Sequence, residues 1–227
     1  MLMKSRVTNA GHRRLGASGF SLIEVVSVLA ISIVVTVVSV MSLVPVMKQQ
    51  RVTNAYNTTL GALRQARDNA VSQRTSYSVT FSNTASPNTI VVAPVLPTGG
   101  ATFTGDQTAV TYQLPFDMSF GVQSGSYPSP GPDGYGTGIN AIDFGYTANG
   151  TGTGGAKTIY FCPDGSAQDA EGGAGNCLGS WDGGVVYITR AGEITSSRAI
   201  SLWGGTGRIR GWRLYSTGAG VYQWVRQ

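Results

Sequence analysis

The sequence predicts an α+β protein in which one long N-terminal helix packs its second half on an antiparallel β domain. Three observations carry that expectation. Residues 20–47 form an apolar run broken by a single charge, Glu24. Beyond the run, apolar residues recur at steps of three and four as far as Arg74, the period of one helix face. From Ser76 the period changes to two, in short runs rich in Val, Ile, Tyr, Phe and Thr bounded by Gly, Pro, Asn and Asp.

The first element is the apolar run. It is long enough to span a bilayer, which takes about 20 apolar residues. A charge inside such a segment costs at least ~2.5 kcal/mol near the bilayer centre, so Glu24 calls for a partner. The local sequence Gly19-Phe20-Ser21-Leu22-Ile23-Glu24 suggests one. If the chain is cut after Gly19, Phe20 becomes an N-terminus whose ammonium neutralises a carboxylate on a neighbouring subunit. A secretory signal peptide explains the basic residues Lys4, Arg6, Arg13 and Arg14, but Gly19 precedes the apolar run and no Ala-x-Ala site follows it. A plain signal anchor explains the hydrophobicity but neither the glutamate nor the glycine.

The segment GFSLIEVVSVLAISIVVTVV resembles the N-terminus of type IV prepilins and type II secretion pseudopilins. The match covers about 30 residues. The resemblance implies that residues 1–19 are a leader removed by the prepilin peptidase after Gly19, that Phe20 is N-methylated, and that Glu24 is the assembly carboxylate. The 18 residues before Gly19 make a longer leader than the family's commonest one. The basic leader reads as a positive-inside signal that holds the N-terminus in the cytoplasm. The expected localisation is a single-pass inner-membrane precursor with a periplasmic globular domain, later a periplasmic or extracellular filament. The implied partners are the peptidase, the inner membrane and other pilins or pseudopilins.

Residues 20–47 are thus the transmembrane and assembly helix, and residues 48–74 its amphipathic continuation. Val52, Tyr56, Thr59, Leu63, Ala66 and Ala70 form one face, with Arg51, Gln65 and Asp68 opposite. Helix from about Phe20 to about Arg74 would be roughly 80 Å long. Pro45 lies inside it, removes one backbone donor and is expected to kink or locally melt the helix. Alternatively it separates an anchor from a second helix.

Residues 75–227 form the β-rich domain, about 150 residues and enough for one core. Strand candidates are 76–82, 89–94, 108–114, 117–122, 139–145, 157–162, 184–190, 198–203, 207–215 and 220–226. Two stretches, Gly121–Gly138 and Pro163–Gly184, read as long loops, and no repeats are found. A helix packed on such a domain is the lollipop shape of the pilin family. The segments TIYFCPDGSA, GGVVYITRAGEI and RAISLWGGTGRIRGWRL resemble the GspH/FimT branch of minor pilins.

The net charge of +5 is largely a leader effect: from Phe20 on there are 12 basic and 11 acidic residues, a net +1. What remains is uneven, at +4 over residues 48–74, −7 over 75–189 and +5 over 190–227. Such blocks suit pairing with neighbours or ligands. Cys162 and Cys177 read as a disulfide in an exported protein, closing a Gly-rich loop, with two free thiols as the alternative. They do not form a zinc pattern, and no cofactor or metal is expected. The one histidine, His12, lies in the leader, which removes the commonest general base from the mature chain. No GxSxG, P-loop or HExxH pattern appears, so an enzyme is not expected.

Gly207-Arg208-Ile209-Arg210 matches a Gly-Arg-x-Arg motif that binds DNA in some pilins of the same branch. In a strand Arg208, Arg210 and Trp212 share a face, and guanidinium groups beside an aromatic ring suit phosphate contact and stacking. Arg213 joins them as a candidate contact, with Arg190, Arg198 and Arg226 widening the patch. Two bland readings stand beside this: arginines that discourage edge pairing, and arginines that pair with the acidic block of a neighbouring subunit.

Overall fold

The computed structural model describes residues 19–95, 108–123, 127–147, 152, 154–169, 177, 181–218 and 220–227. Residues 1–18 of the expected leader, His12 among them, lie outside the described residues, as do parts of both expected loops. The chain divides into two compact units, Met1–Pro45 and Val46–Gln227.

The described part of the first unit is helical. Helix α1 (Leu22–Gln73) begins there, with the Glu24 and Val25 amides donating to the Ser21 carbonyl, and it runs on without interruption to Gln73. Pro45 therefore does not melt the helix. A proline removes a single donor, and every other residue of this stretch keeps its helical hydrogen bonding available. Side chains from Leu22 to Val46 are all exposed, and the most apolar 18-residue window has a mean hydropathy of 2.6.

In the second unit α1 buries Val52, Ala55, Thr59, Ala62, Leu63, Ala66 and Ala70, the face expected from the sequence. Tyr56 is only half-buried at its edge. The buried Thr59 hydroxyl donates to the Ala55 carbonyl, so this polar side chain enters the core already satisfied. Small residues at 55, 62, 66 and 70 let the helix backbone approach the sheets closely.

The β elements are β1 (Tyr77–Ser82), β2 (Thr89–Pro94), β3 (Val110–Gln113), β4 (Met118–Phe120), β5 (Ile142–Thr147), β6 (Thr158–Phe161), β7 (Ala167–Gln168), β8 (Asp182–Arg190), β9 (Glu193–Trp203), β10 (Arg208–Gly218) and β11 (Val221–Arg226). They form two antiparallel sheets, β3-β2-β1-β6-β7 and β11-β10-β9-β8-β4, with β5 pairing on β8 beyond β4. Each expected strand is present, shifted by a few residues at its ends. Strand β7 was not expected, because two residues carry no period of their own. It exists through pairing with Tyr160 and Phe161 on β6.

One core joins the helix to both sheets: Leu63 and its neighbours meet Val79, Phe81, Ile90, Ile159 and Phe161 from the first sheet and Val186, Ile188, Ile200 and Leu202 from the second. The opposite face of the second sheet carries a separate layer of Tyr135, Tyr146, Val185, Tyr187, Ala199, Leu214 and Trp224. The stretch expected as a long loop, 121–138, helps to cover that face. Tyr127 packs within 5.2 Å of both the Tyr187 and Trp224 rings, and a 3-10 turn, Pro132–Gly134, brings Tyr135 against Trp203. Its Gly/Pro content sets turns, while its aromatics supply the packing.

Candidate functional site

Phe20, Glu24 and the apolar face behind them form the first candidate. Phe20 is 79% exposed, and Val25, Val28 and Leu29 surround Glu24 on the helix surface. Glu24 belongs to none of the ion pairs among the described residues. Gly19 is exposed, and an added Cβ there would meet no atom of the described residues within 4 Å. The chain thus presents a carboxylate within an exposed apolar helix, next to an accessible glycine.

Cys162 and Cys177 are joined in a disulfide with Cα atoms 5.8 Å apart. The Cys177 sulfur also lies 3.2 Å from the Ser76 hydroxyl, so the loop returns to the point where α1 gives way to β1. Asp164, in the turn between β6 and β7, accepts from the Ser166 hydroxyl at 2.6 Å and its amide at 2.9 Å. These two bonds hold the Asp164 carboxyl below its ordinary range.

The flanking basic blocks meet the acidic middle within the same chain. Asp117 accepts from Arg51 at 3.3 Å and from Arg190 at 3.1 Å. Arg190 also pairs with Glu193 at 2.7 Å, and Glu193 reaches Lys48 at 3.8 Å. This five-residue network ties the segment after the apolar run to β4 and to the β8–β9 hairpin. The Arg51 guanidinium also lies over the Phe116 ring, 4.5 Å from its centroid. Arg51 is therefore a packing residue, not part of a solvated helix face.

The Gly-Arg-x-Arg segment is divided among three environments. Gly207 has φ +58°, capping a 3-10 turn at Gly204–Thr206, and an added Cβ would strike the Gly165 carbonyl. The turn accounts for this glycine without a ligand. Arg208 is exposed beside a groove that includes Arg64, Arg67 and Asp68. Arg67 is already held there, donating to the Gly165 and Thr206 carbonyls at 3.2 Å each.

Arg210 and Trp212 do share a face, but it is the one covered by the 3-10 turn at Pro132–Gly134. Arg210 pairs with Asp133, whose other oxygen accepts from Ser201, and the Trp212 indole donates to Ser201 at 2.9 Å. The Arg210 guanidinium also lies 5.8 Å from the Trp203 ring centroid. Arg213 faces the opposite way, toward the helix, and lines a pocket with Lys48, Gln49 and Arg198. The sequence-predicted arginines are thus not gathered on one surface. Asp133, the residue that captures Arg210, lies 77 positions earlier in the chain, and no local signal marked it.

A polar knot at Asp143 escaped the sequence reading altogether. Its buried carboxylate accepts from the Tyr146 hydroxyl at 2.9 Å, the Gly155 amide at 2.7 Å and the Asn140 amide group at 3.2 Å. Burial, and then the bond to Asp143, pushes the Tyr146 phenol up to about 12. Among the described residues no group of three or more His, Cys, Asp or Glu side chains is placed to hold a metal ion.

No protein-family model matches this chain, and no curated protein or solved structure matches it either. What is established is an α+β protein with, among the described residues, one long apolar helix near the N-terminus that is compatible with a membrane anchor, and a Cys162–Cys177 disulfide.

Proposed function

We propose that the chain is a minor pilin or pseudopilin subunit, processed by a prepilin peptidase after Gly19 and assembled into a type IV pilus-like filament. The observation that carries this reading is Glu24: a carboxylate five residues past an accessible glycine, inside an exposed apolar helix whose continuation packs on a β domain. The mechanism is packing. Lipid solvates residues 20–47 before assembly, and neighbouring helices do so afterwards. Glu24 offsets its desolvation by pairing with the Phe20 ammonium of an adjacent subunit. That ammonium exists only once the leader is gone, so processing and assembly are coupled.

Two variants test the reading. Gly19→Ser should leave an unshifted precursor on a gel, and Glu24→Ala should be processed yet fail to enter filaments. Normal incorporation of the Glu24→Ala chain would overturn the pairing. A type II secretion pseudopilin shares all of this chemistry, and the genes beside this one distinguish the two filaments.

A DNA-uptake role is the second reading. In its favour is the exposed Arg208, with Arg64 and Arg67 close by. Against it, Arg210 would have to leave Asp133 to reach a phosphate. A gel shift with the Arg208→Gln, Arg210→Gln double variant decides: unchanged affinity and salt slope exclude the motif as a DNA site.

A further inference from the structure

Arg198 on β9 and Arg213 on β10 are direct cross-strand partners, an arrangement in which like charges repel. Neither belongs to any ion pair among the described residues. Arg198 donates only to the Ser196 and Ser197 carbonyls, at 3.1 and 3.2 Å. Arg213 lies over the Tyr215 ring at 5.0 Å and keeps a buried Nε without a partner. Burial, and then the neighbouring Arg213, lowers the Arg198 pKa to about 10. Both line a pocket of about 290 Å³ whose helix wall is Lys48, Gln49, Val52 and Thr53. The one carboxylate on its rim, Glu193, is already shared between Arg190 and Lys48.

Two paired cations held against each other in a pocket are destabilising unless an anion joins them. The source of that anion follows from the chain. Lys48 is the first charged residue after the apolar run, so in a membrane-anchored chain this wall of the pocket begins at headgroup level. We propose that Arg198, Arg213 and Lys48 form a binding site for the phosphate of an anionic phospholipid. Guanidinium groups suit a phosphate bidentately, and the pocket's mixed lining accepts the headgroup's glycerol edge. Of the filament reading, the inference uses only the membrane anchor. Alkaline carbonate extraction tests that anchor separately: a chain released from membranes overturns it, whatever the pocket binds.

The test uses the full chain in neutral detergent micelles, titrated with phosphatidylglycerol, with phosphatidylcholine, with inorganic phosphate and with a short DNA duplex, reading the thermal unfolding midpoint. Phosphatidylglycerol should raise the midpoint saturably, and phosphatidylcholine should not. In Arg198→Gln with Arg213→Gln, half-saturation should shift by roughly tenfold or more, since each charge-assisted contact is worth that much. Without lipid this variant should melt no lower than the parent, because it removes a repulsion. Thr53→Glu, at an exposed helix position, should abolish the response while leaving both arginines in place.

No shift with phosphatidylglycerol, or the same shift in both variants, overturns the site. Inorganic phosphate acting at the same concentration overturns the lipid as the source, and tighter binding of the DNA duplex, lost in the same variants, overturns it in favour of nucleic acid.

Discussion

The hydroxyl of Tyr56 rests on Gly211, so that the helix and β10 touch where β10 has no side chain. An added Cβ at Gly211 would overlap the phenol oxygen and crowd the ring. Gly211 sits two residues after Ile209, which packs on the main core, and two before Arg213 in the cationic pocket. The contact therefore sets how close the helix lies to the arginine-bearing strand.

Gly211→Ala should destabilise the β domain by about 1–3 kcal/mol, the usual cost of overpacking. Urea unfolding of the full chain in detergent measures it. In a Tyr56→Ala background most of the added cost should vanish, because the two sites are in contact and not additive. An equal cost in both backgrounds would show that the glycine serves something other than this approach.

Asp117 is the node of the charge network, 13% exposed between Arg51 and Arg190. Asp117→Ala should cost about 1–3 kcal/mol, because it leaves Arg51 with no carboxylate and Arg190 with Glu193 alone. Lys48→Ala should cost ~0.5 kcal/mol or less, since its partner is 3.8 Å away and both groups are well exposed. Comparable losses would mean that the network is not centred on Asp117.

Arg210 and Arg208 should separate in the same way. Arg210→Gln should destabilise by about 1–3 kcal/mol, because Asp133 stays buried without its cation. Arg208→Gln, at an exposed site, should stay within ~0.5 kcal/mol. The unfolding midpoints of the two single variants decide, and they must be known before any DNA-binding loss is credited to Arg210.

The tyrosines behind the second sheet predict alkaline sensitivity. Burial raises the Tyr127, Tyr135 and Tyr187 phenols above their ordinary value, and Tyr146 reaches about 12. A folded-state pKa above the unfolded one contributes stability that is intact below pH ~10 and is lost as pH rises toward 12. Unfolding and phenolate absorbance should therefore rise together above pH ~10. Tyr146→Phe should remove part of that slope, at the cost of a donor to Asp143. Phenols that ionise near pH 10 with the fold intact would contradict the buried layer.

Reduction of Cys162–Cys177 should lower stability by about 3 kcal/mol, the chain-entropy value for closing a loop of this length. A Cys162→Ser, Cys177→Ser variant should match the reduced protein in urea.

Local order along this chain was legible because it is periodic. The steps of three and four that mark Val52, Leu63 and Ala70 also turn one helix face inward, and alternation from Ser76 defines strands whether or not their partners are known. The apolar run and the position of Glu24 within it are likewise facts of sequence, with the cysteine spacing beside them. Pairings were not legible, because they join residues far apart in the chain. Nothing near Arg210 announced Asp133, and nothing in the spacing of Arg198 and Arg213 showed that the β9–β10 register would set them face to face. The sequence by itself determined a long apolar helix with a carboxylate near its start, joined to a β domain. The fold settles which arginines pair with internal carboxylates, and it sets Arg198 and Arg213, which pair with none among the described residues, side by side. Charge is a property of composition, whereas compensation depends on which strands lie side by side.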